Sequence, residues 1–199
     1  MPVSIIRKFV FICILGAAPI YLNAQPPITV TLQNEATAIP FTKLFTRPVH
    51  PGVQLGTEGN YSRHNLSRLY QTISIGYIFH RHLFKGIYIH TALGYDYGFH
   101  SGFNLKAQVG LGYMQSFTTG KEYQFSQGEY KAGRDRGNSR FIFSVAPGLG
   151  YRLQQNNTDS PEIFTLYNCW FEYPYSPGFI PVMTHISQEL GYSFYPDNK

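Results

Sequence analysis

The feature that most constrains this chain is a long two-residue alternation of apolar and small or polar residues, repeated from Val53 to the C-terminus. Leu69, Ile73, Ile75, Tyr77 and Phe79 alternate with Tyr70, Thr72, Ser74 and Gly76. Leu105, Ala107, Val109, Leu111 and Tyr113 alternate with Lys106, Gln108, Gly110 and Gly112. A period of two is the strand signature, because successive side chains leave a strand on opposite faces. The same pattern predicts strands near residues 53–59, 68–79, 86–97, 104–115, 140–151, 162–173 and 183–194. Several runs reach about ten residues, the length of a tilted membrane strand and longer than the usual strand of a soluble domain.

The spacing therefore predicts an all-β chain: a closed, antiparallel, up-and-down transmembrane β-barrel of about eight strands. Seven strands are readable and a single-chain bacterial barrel needs an even number. The eighth is assigned to Lys121–Tyr130, after the turn residues Thr118-Thr119-Gly120, in preference to the short alternation Ile28–Leu32. Composition agrees. Charged residues are 14% of the chain, against about a quarter in soluble domains. Tyr and Phe number 16 each, and there are 19 Gly. A barrel wall uses such residues, apolar toward lipid and small or polar toward the lumen. The net charge of +5 is spread along the chain and forms no nucleic-acid patch; contact with anionic lipid headgroups is its simpler use.

The N-terminus has the layout of a secretory signal peptide over residues 1–24. Arg7 and Lys8 precede the apolar run Phe9–Pro19, and Leu22-Asn23-Ala24 offers a cleavage site before Gln25. Removal of this segment takes Cys13 with it and leaves Cys169 alone, so no internal disulfide framework is expected. Residues 25–52, broken by Pro40, Pro48 and Pro51, read as a loose N-terminal segment, and residues 53–199 as the barrel domain.

A weak repeat runs through the strands. Ile75-Gly76-Tyr77, Leu93-Gly94-Tyr95, Leu111-Gly112-Tyr113, Leu149-Gly150-Tyr151 and Leu190-Gly191-Tyr192 each put an apolar residue and a Tyr on one face and Gly on the other. With antiparallel strands, Tyr77, Tyr95, Tyr113, Tyr151 and Tyr192 would form aromatic girdles at the two membrane interfaces.

On the export signal, these Gly-Tyr strand ends and the aromatic last strand, the chain resembles the small outer-membrane β-barrel proteins of Gram-negative bacteria over roughly Val53 to Phe194. The resemblance implies an outer-membrane location and contact with outer-membrane lipid and lipopolysaccharide. It also implies a barrel-assembly machinery as partner during biogenesis, with Leu190-Gly191-Tyr192-Ser193-Phe194 as the recognition segment. That group hosts structural proteins, adhesins, narrow channels and lipid-modifying enzymes, so a structural, interaction or minor-pore role is implied without a specific activity.

Candidate chemistry is sparse. His185, Ser187 and Glu189 share one face of the last strand and hold the residue types of an acyl-transfer site. The spacing His-x-Ser resembles the dyad of the lipid A 3-O-deacylase family, which makes a lipid-modifying hydrolase the first alternative. The preferred reading is a polar lumen face, lined also by Glu58, His90, Asp96, Lys106 and Gln108, with the charges pairing to fill a narrow interior. His80, His82, His90 and His100 give no converging ligand set, so neither a metal centre nor a cofactor is expected. A soluble lipocalin-like barrel around a ligand is the second alternative. The direction of the apolar face separates it from a membrane barrel.

Overall fold

The computed structural model describes residues 26–196, apart from 43–46, 65, 121–122, 127, 133–134, 156, 158–159 and 177. The segment assigned to a signal peptide lies outside the described residues. Eight strands close a barrel: β1 (Ile28–Ala36), β2 (Pro51–His64), β3 (Ser67–Phe79), β4 (Phe84–Gly98), β5 (Phe103–Thr118), β8 (Asn138–Arg152), β9 (Glu162–Tyr173) and β10 (Met183–Phe194). Neighbouring strands are antiparallel, and β1 closes the ring by pairing with β10, from Ile28↔Phe194 to Ala36↔Ile186. Connections 37–50, 80–83, 119–137 and 174–182 share one end, here the loop end. Connections 65–66, 99–102 and 153–161 share the other, the turn end, with the start of β1 and the end of β10.

The eighth strand is not where the sequence placed it. Among the described residues of 121–130, none belongs to a barrel strand. β6 (Tyr123–Ser126) and β7 (Glu129–Ala132) form a separate hairpin within the β5–β8 connection, turned at Gly128 with φ 83°. Four residues span only about 13 Å at the usual rise, less than half a hydrocarbon core of about 30 Å. The eighth strand is β1, so the segment read as loose contains a wall strand, and the barrel begins at Ile28, ahead of residue 53. β1 is hard to see because its outward positions include Asn34 beside Leu32, which interrupts the apolar face.

Alternation has the predicted sense. Leu32, Leu55, Ile75, Leu93, Leu111, Leu149 and Leu190 are all exposed on the outer wall, with Leu111 at 59% and Ile75 at 58%. A continuous apolar belt of this extent has lipid as its solvent. The apolar face points outward, which overturns the soluble lipocalin-like alternative, whose apolar residues would line the interior.

The Gly of the repeat has its own packing reason. Gly76 faces Tyr88, Gly94 faces Tyr70 and Gly191 faces Phe164 across neighbouring strands. At each, a Cβ would collide with the facing aromatic ring. Bare backbone on one strand thus makes room inside the lumen for a ring on the next.

Candidate functional site

The lumen is the only place where chemistry-bearing side chains converge among the described residues, and it does so in two layers. Near the turn end, Arg68 on β3 sits among three carboxylates. Its Nη1 is 2.9 Å from Glu58, its Nε 2.7 Å from Asp96 and its Nη2 3.4 Å from Glu162. Lys106 Nζ joins Asp96 at 2.9 Å and Glu162 at 2.7 Å. Arg152 lies 3.8 Å from Asp96 and donates to the Leu66 carbonyl at 3.1 Å. Asn104 donates to Glu162 at 3.0 Å. Three cations balance three carboxylates, as buried charge requires. The Arg68 guanidinium also lies 4.5 Å from the centre of the Tyr70 ring.

Between the layers the space left is small. Thr31, Gln54, Ser74, His90, Gln108 and Glu189 surround a cavity of about 30 Å³, enough to hold water. His90 Nε2 bonds Ser144 Oγ at 2.8 Å, Gln108 donates to the Tyr70 hydroxyl at 3.0 Å, and Glu189 accepts from Asn168 at 2.8 Å.

Toward the loop end the network is built on imidazoles. His185 Nδ1 is 2.7 Å from Glu35 Oε1, and its Nε2 is 3.4 Å from Glu172 Oε1. Arg140 Nη1 donates to the same Glu172 oxygen at 2.5 Å. The Trp170 indole stacks on the His185 ring at 3.9 Å and donates from Nε1 to Ser187 Oγ at 2.9 Å. Above them His50 and His80 stack with ring centres 3.6 Å apart. Burial pushes the His80 imidazole below its ordinary pKa, with Glu35 opposing the shift.

The residues singled out from sequence therefore sit as follows. Glu58, Asp96 and Lys106 meet in the turn-end layer, His90, Gln108 and Glu189 line the small central cavity, and His185 and Ser187 belong to the loop-end layer. Tyr77 and Tyr113 lie outward on the loop-end half of their strands, and Tyr95, Tyr151 and Tyr192 on the turn-end half. His185 and Ser187 share a face, but no hydrogen bond joins them. Both His185 nitrogens face carboxylates, and Ser187 is committed to Trp170. A nucleophile needs its base within about 2.6–3.2 Å, and that contact is not made here. Both side chains are also shut away from the lipid face, at 0% and 1% exposure.

Sequence reasoning did not single out Glu35, His50, Arg68, Arg140, Glu162, Trp170 or Glu172. For Arg68 a signal existed: it shares the inward parity of Tyr70, Thr72 and Ser74 on β3.

No protein-family model matches the chain, and no curated protein matches it. Solved structures do. Neisserial surface protein A is 9% identical, with a TM-score of 0.53, over 87% of this chain and 98% of its own. The outer membrane enzyme PagL is 11% identical, with a TM-score of 0.49, over 85% and 99%. The N-terminal β-barrel domain of Pseudomonas aeruginosa OprF is 12% identical, with a TM-score of 0.43, over 85% and 98%. At such identities the likeness is one of fold. By its topology, its outward apolar belt and its likeness to Neisserial surface protein A, the chain has the fold of the small, eight-stranded, transmembrane barrels of bacterial outer membranes.

Proposed function

We propose that this is an integral outer-membrane protein with a closed lumen, which acts through its loop end and outer wall as a structural or interaction protein. The observation that carries this reading is the filled interior. Two layers of paired charge cross it, and a cavity of about 30 Å³ lies between them. An eight-stranded interior is just wide enough for side chains, and here they occupy it. The loop end also offers apolar side chains to its surroundings: Ile39, Phe41, Phe179 and Val182 are exposed there, and Phe41 stacks on the outward Tyr167 at 5.5 Å. Lipid, lipopolysaccharide or a partner at the membrane surface would cover such residues. Export through a signal peptide cleaved before Gln25, and insertion by a barrel-assembly machinery, complete the proposal.

The test is electrical. Purified protein inserted in planar bilayers should give no stepwise conductance. Steady ohmic channels from the wild-type chain would refute the closed lumen. The lipid-hydrolase alternative lacks a supporting contact, since Ser187 has no base within reach.

A further inference from the structure

Three loop-end side chains arrive from three separate elements. Glu35 is the penultimate residue of β1, His50 directly precedes β2 and His80 directly follows β3. Each presents one ligating atom, and all three atoms lie within 4.8 Å of one another in a buried cluster. Glu35 Oε2 is 3.9 Å from His80 Nε2 and 4.0 Å from His50 Nδ1.

Two of these groups have coordinating capacity that the protein does not use. Glu35 Oε1 is taken by His185, but Glu35 Oε2 is buried without a hydrogen-bond partner among the described residues. His50 Nδ1 faces the Glu35 carbonyl at 3.0 Å. A carbonyl only accepts, so the proton is on Nδ1 and the lone pair on Nε2. That nitrogen too is buried and unpartnered, and because it is the protonated Nδ1 that lies 4.0 Å from Glu35 Oε2, the ring must turn to bring Nε2 into the cluster. Leaving a buried carboxylate oxygen and a buried imidazole nitrogen both unsatisfied is costly, unless something else satisfies them.

The surroundings hold the ligands in place. Glu35 N donates to the His50 carbonyl at 3.0 Å, and His50 N donates to Asn34 Oδ1 at 2.9 Å. His80 N donates to the Phe84 carbonyl at 2.9 Å. His185, stacked on Trp170, braces the free carboxylate from behind. An outer hydrogen-bonded shell of this kind is what orients metal ligands.

We propose that Glu35, His50 and His80 form a binding site for a zinc-class divalent cation at the loop end of the lumen. Two imidazoles and one carboxylate are a borderline-soft donor set that suits Zn²⁺ and leaves a fourth position open. Mg²⁺ and Ca²⁺ want more oxygen than one carboxylate supplies.

Binding has two structural costs. The His50 and His80 rings, stacked with centres 3.6 Å apart, must swing out of parallel for both lone pairs to meet one ion. His80 Nδ1 accepts the amides of His82 and Leu83 at 3.4 and 3.2 Å, which puts that ring's proton on Nε2. Ligation through Nε2 moves the proton to Nδ1 and gives up those two long contacts. The cation therefore loosens the 80–83 turn while fixing the cluster beneath it.

The test uses the full chain refolded in detergent micelles, titrated with ZnCl₂ by calorimetry and with CoCl₂ by absorbance. The wild type should take up one equivalent, with the strong visible bands of four-coordinate cobalt. His50→Gln and His80→Gln, both outside the strands, should each weaken binding at least tenfold, with heat-modifiable migration unchanged. Exposed His64, His82 and His100 are the adventitious competitors. Their combined replacement by Gln should leave the equivalent in place. In the wild type, Zn²⁺ should also speed amide exchange at His82 and Leu83. Absence of saturable binding, undiminished binding in His50→Gln and His80→Gln, or its loss in the His64/His82/His100 variant would each overturn the site.

Discussion

The two layers of the lumen solve the same problem with different chemistry. At the turn end, Arg68, Lys106 and Arg152 carry permanent charge against Glu58, Asp96 and Glu162. At the loop end, Glu35 and Glu172 share the imidazole His185, Arg140 pairs with Glu172 alone, and His50 and His80 stack above. The first layer sets three cations against three carboxylates. The second has one fixed cation, Arg140, beside the carboxylates Glu35 and Glu172, and its other contacts are to imidazoles. One end of the barrel is thus filled by interlocked ion pairs, and the other by residue types that can also bind a proton or a metal.

The largest effect expected is at Arg68. Arg68→Ala strips one guanidinium from three buried carboxylates, and breaking such an arrangement costs about 3–5 kcal/mol. Urea unfolding in lipid vesicles measures it. A loss below about 1 kcal/mol, the size of an exposed ion pair, would mean that water reaches this layer and the contrast is false. A control on the outer wall calibrates the scale. Leu111, at 59% exposure on β5, should cost roughly 2–4 kcal/mol as Leu111→Arg in the same assay, because the charge enters lipid. No loss there would contradict the outward belt.

Arg140→Ala should cost less than Arg68→Ala, about 1.5–3 kcal/mol, the worth of a hydrogen bond to a charged group. Glu172 keeps His185 as a partner when Arg140 is gone. Equal losses from the two arginines would erase the distinction between the layers.

The smallest effect lies outside the lumen, at Asp135. Its carboxylate accepts from Gly137 N at 2.7 Å and from Thr118 N and Oγ1 at 2.7 and 3.0 Å. The little burial it has would raise its pKa, but these hydrogen bonds together hold it below the ordinary value. A depressed carboxylate stabilises the folded chain above its unfolded pKa, and that contribution fades as pH falls through the lowered folded value. The Thr118 and Gly137 amide resonances should therefore hold steady at neutral pH and shift only below about pH 4, the ordinary carboxylate range. In Asp135→Asn the shift should vanish. Movement near pH 6 would point to a histidine instead.

Much of this architecture was legible because parity in a strand carries through its whole length. Once Leu111 is outward, Gly110 and Gln108 are inward, and the charges Glu58, Asp96 and Lys106 fall into the lumen without further argument. β9 was less readable, since Asn168, Cys169 and Trp170 interrupt its alternation and Glu162 stands at its first position. β1 was hidden by Asn34 on its outward face. The face shared by His185 and Ser187 was visible, but their partners were not. Glu35 is 150 residues from His185 in the chain, and no local pattern records that meeting. The same holds for Glu35, His50 and His80, brought together only when three strand ends converge.

The pairing of β1 with β10 has a consequence for how the molecule comes into being. Ile28 faces Phe194, so the first strand synthesised finds its second neighbour only in the last. Every other seam can zip between strands adjacent in the barrel order as they emerge. This one must wait, and its closure carries the full entropic burden of a loop that includes nearly the whole domain. Until then β1 and β10 are both open edges, able to recruit a foreign strand. Loss of residues from β10 would therefore not trim the barrel but leave it unfinished, with a permanent adhesive margin along β1.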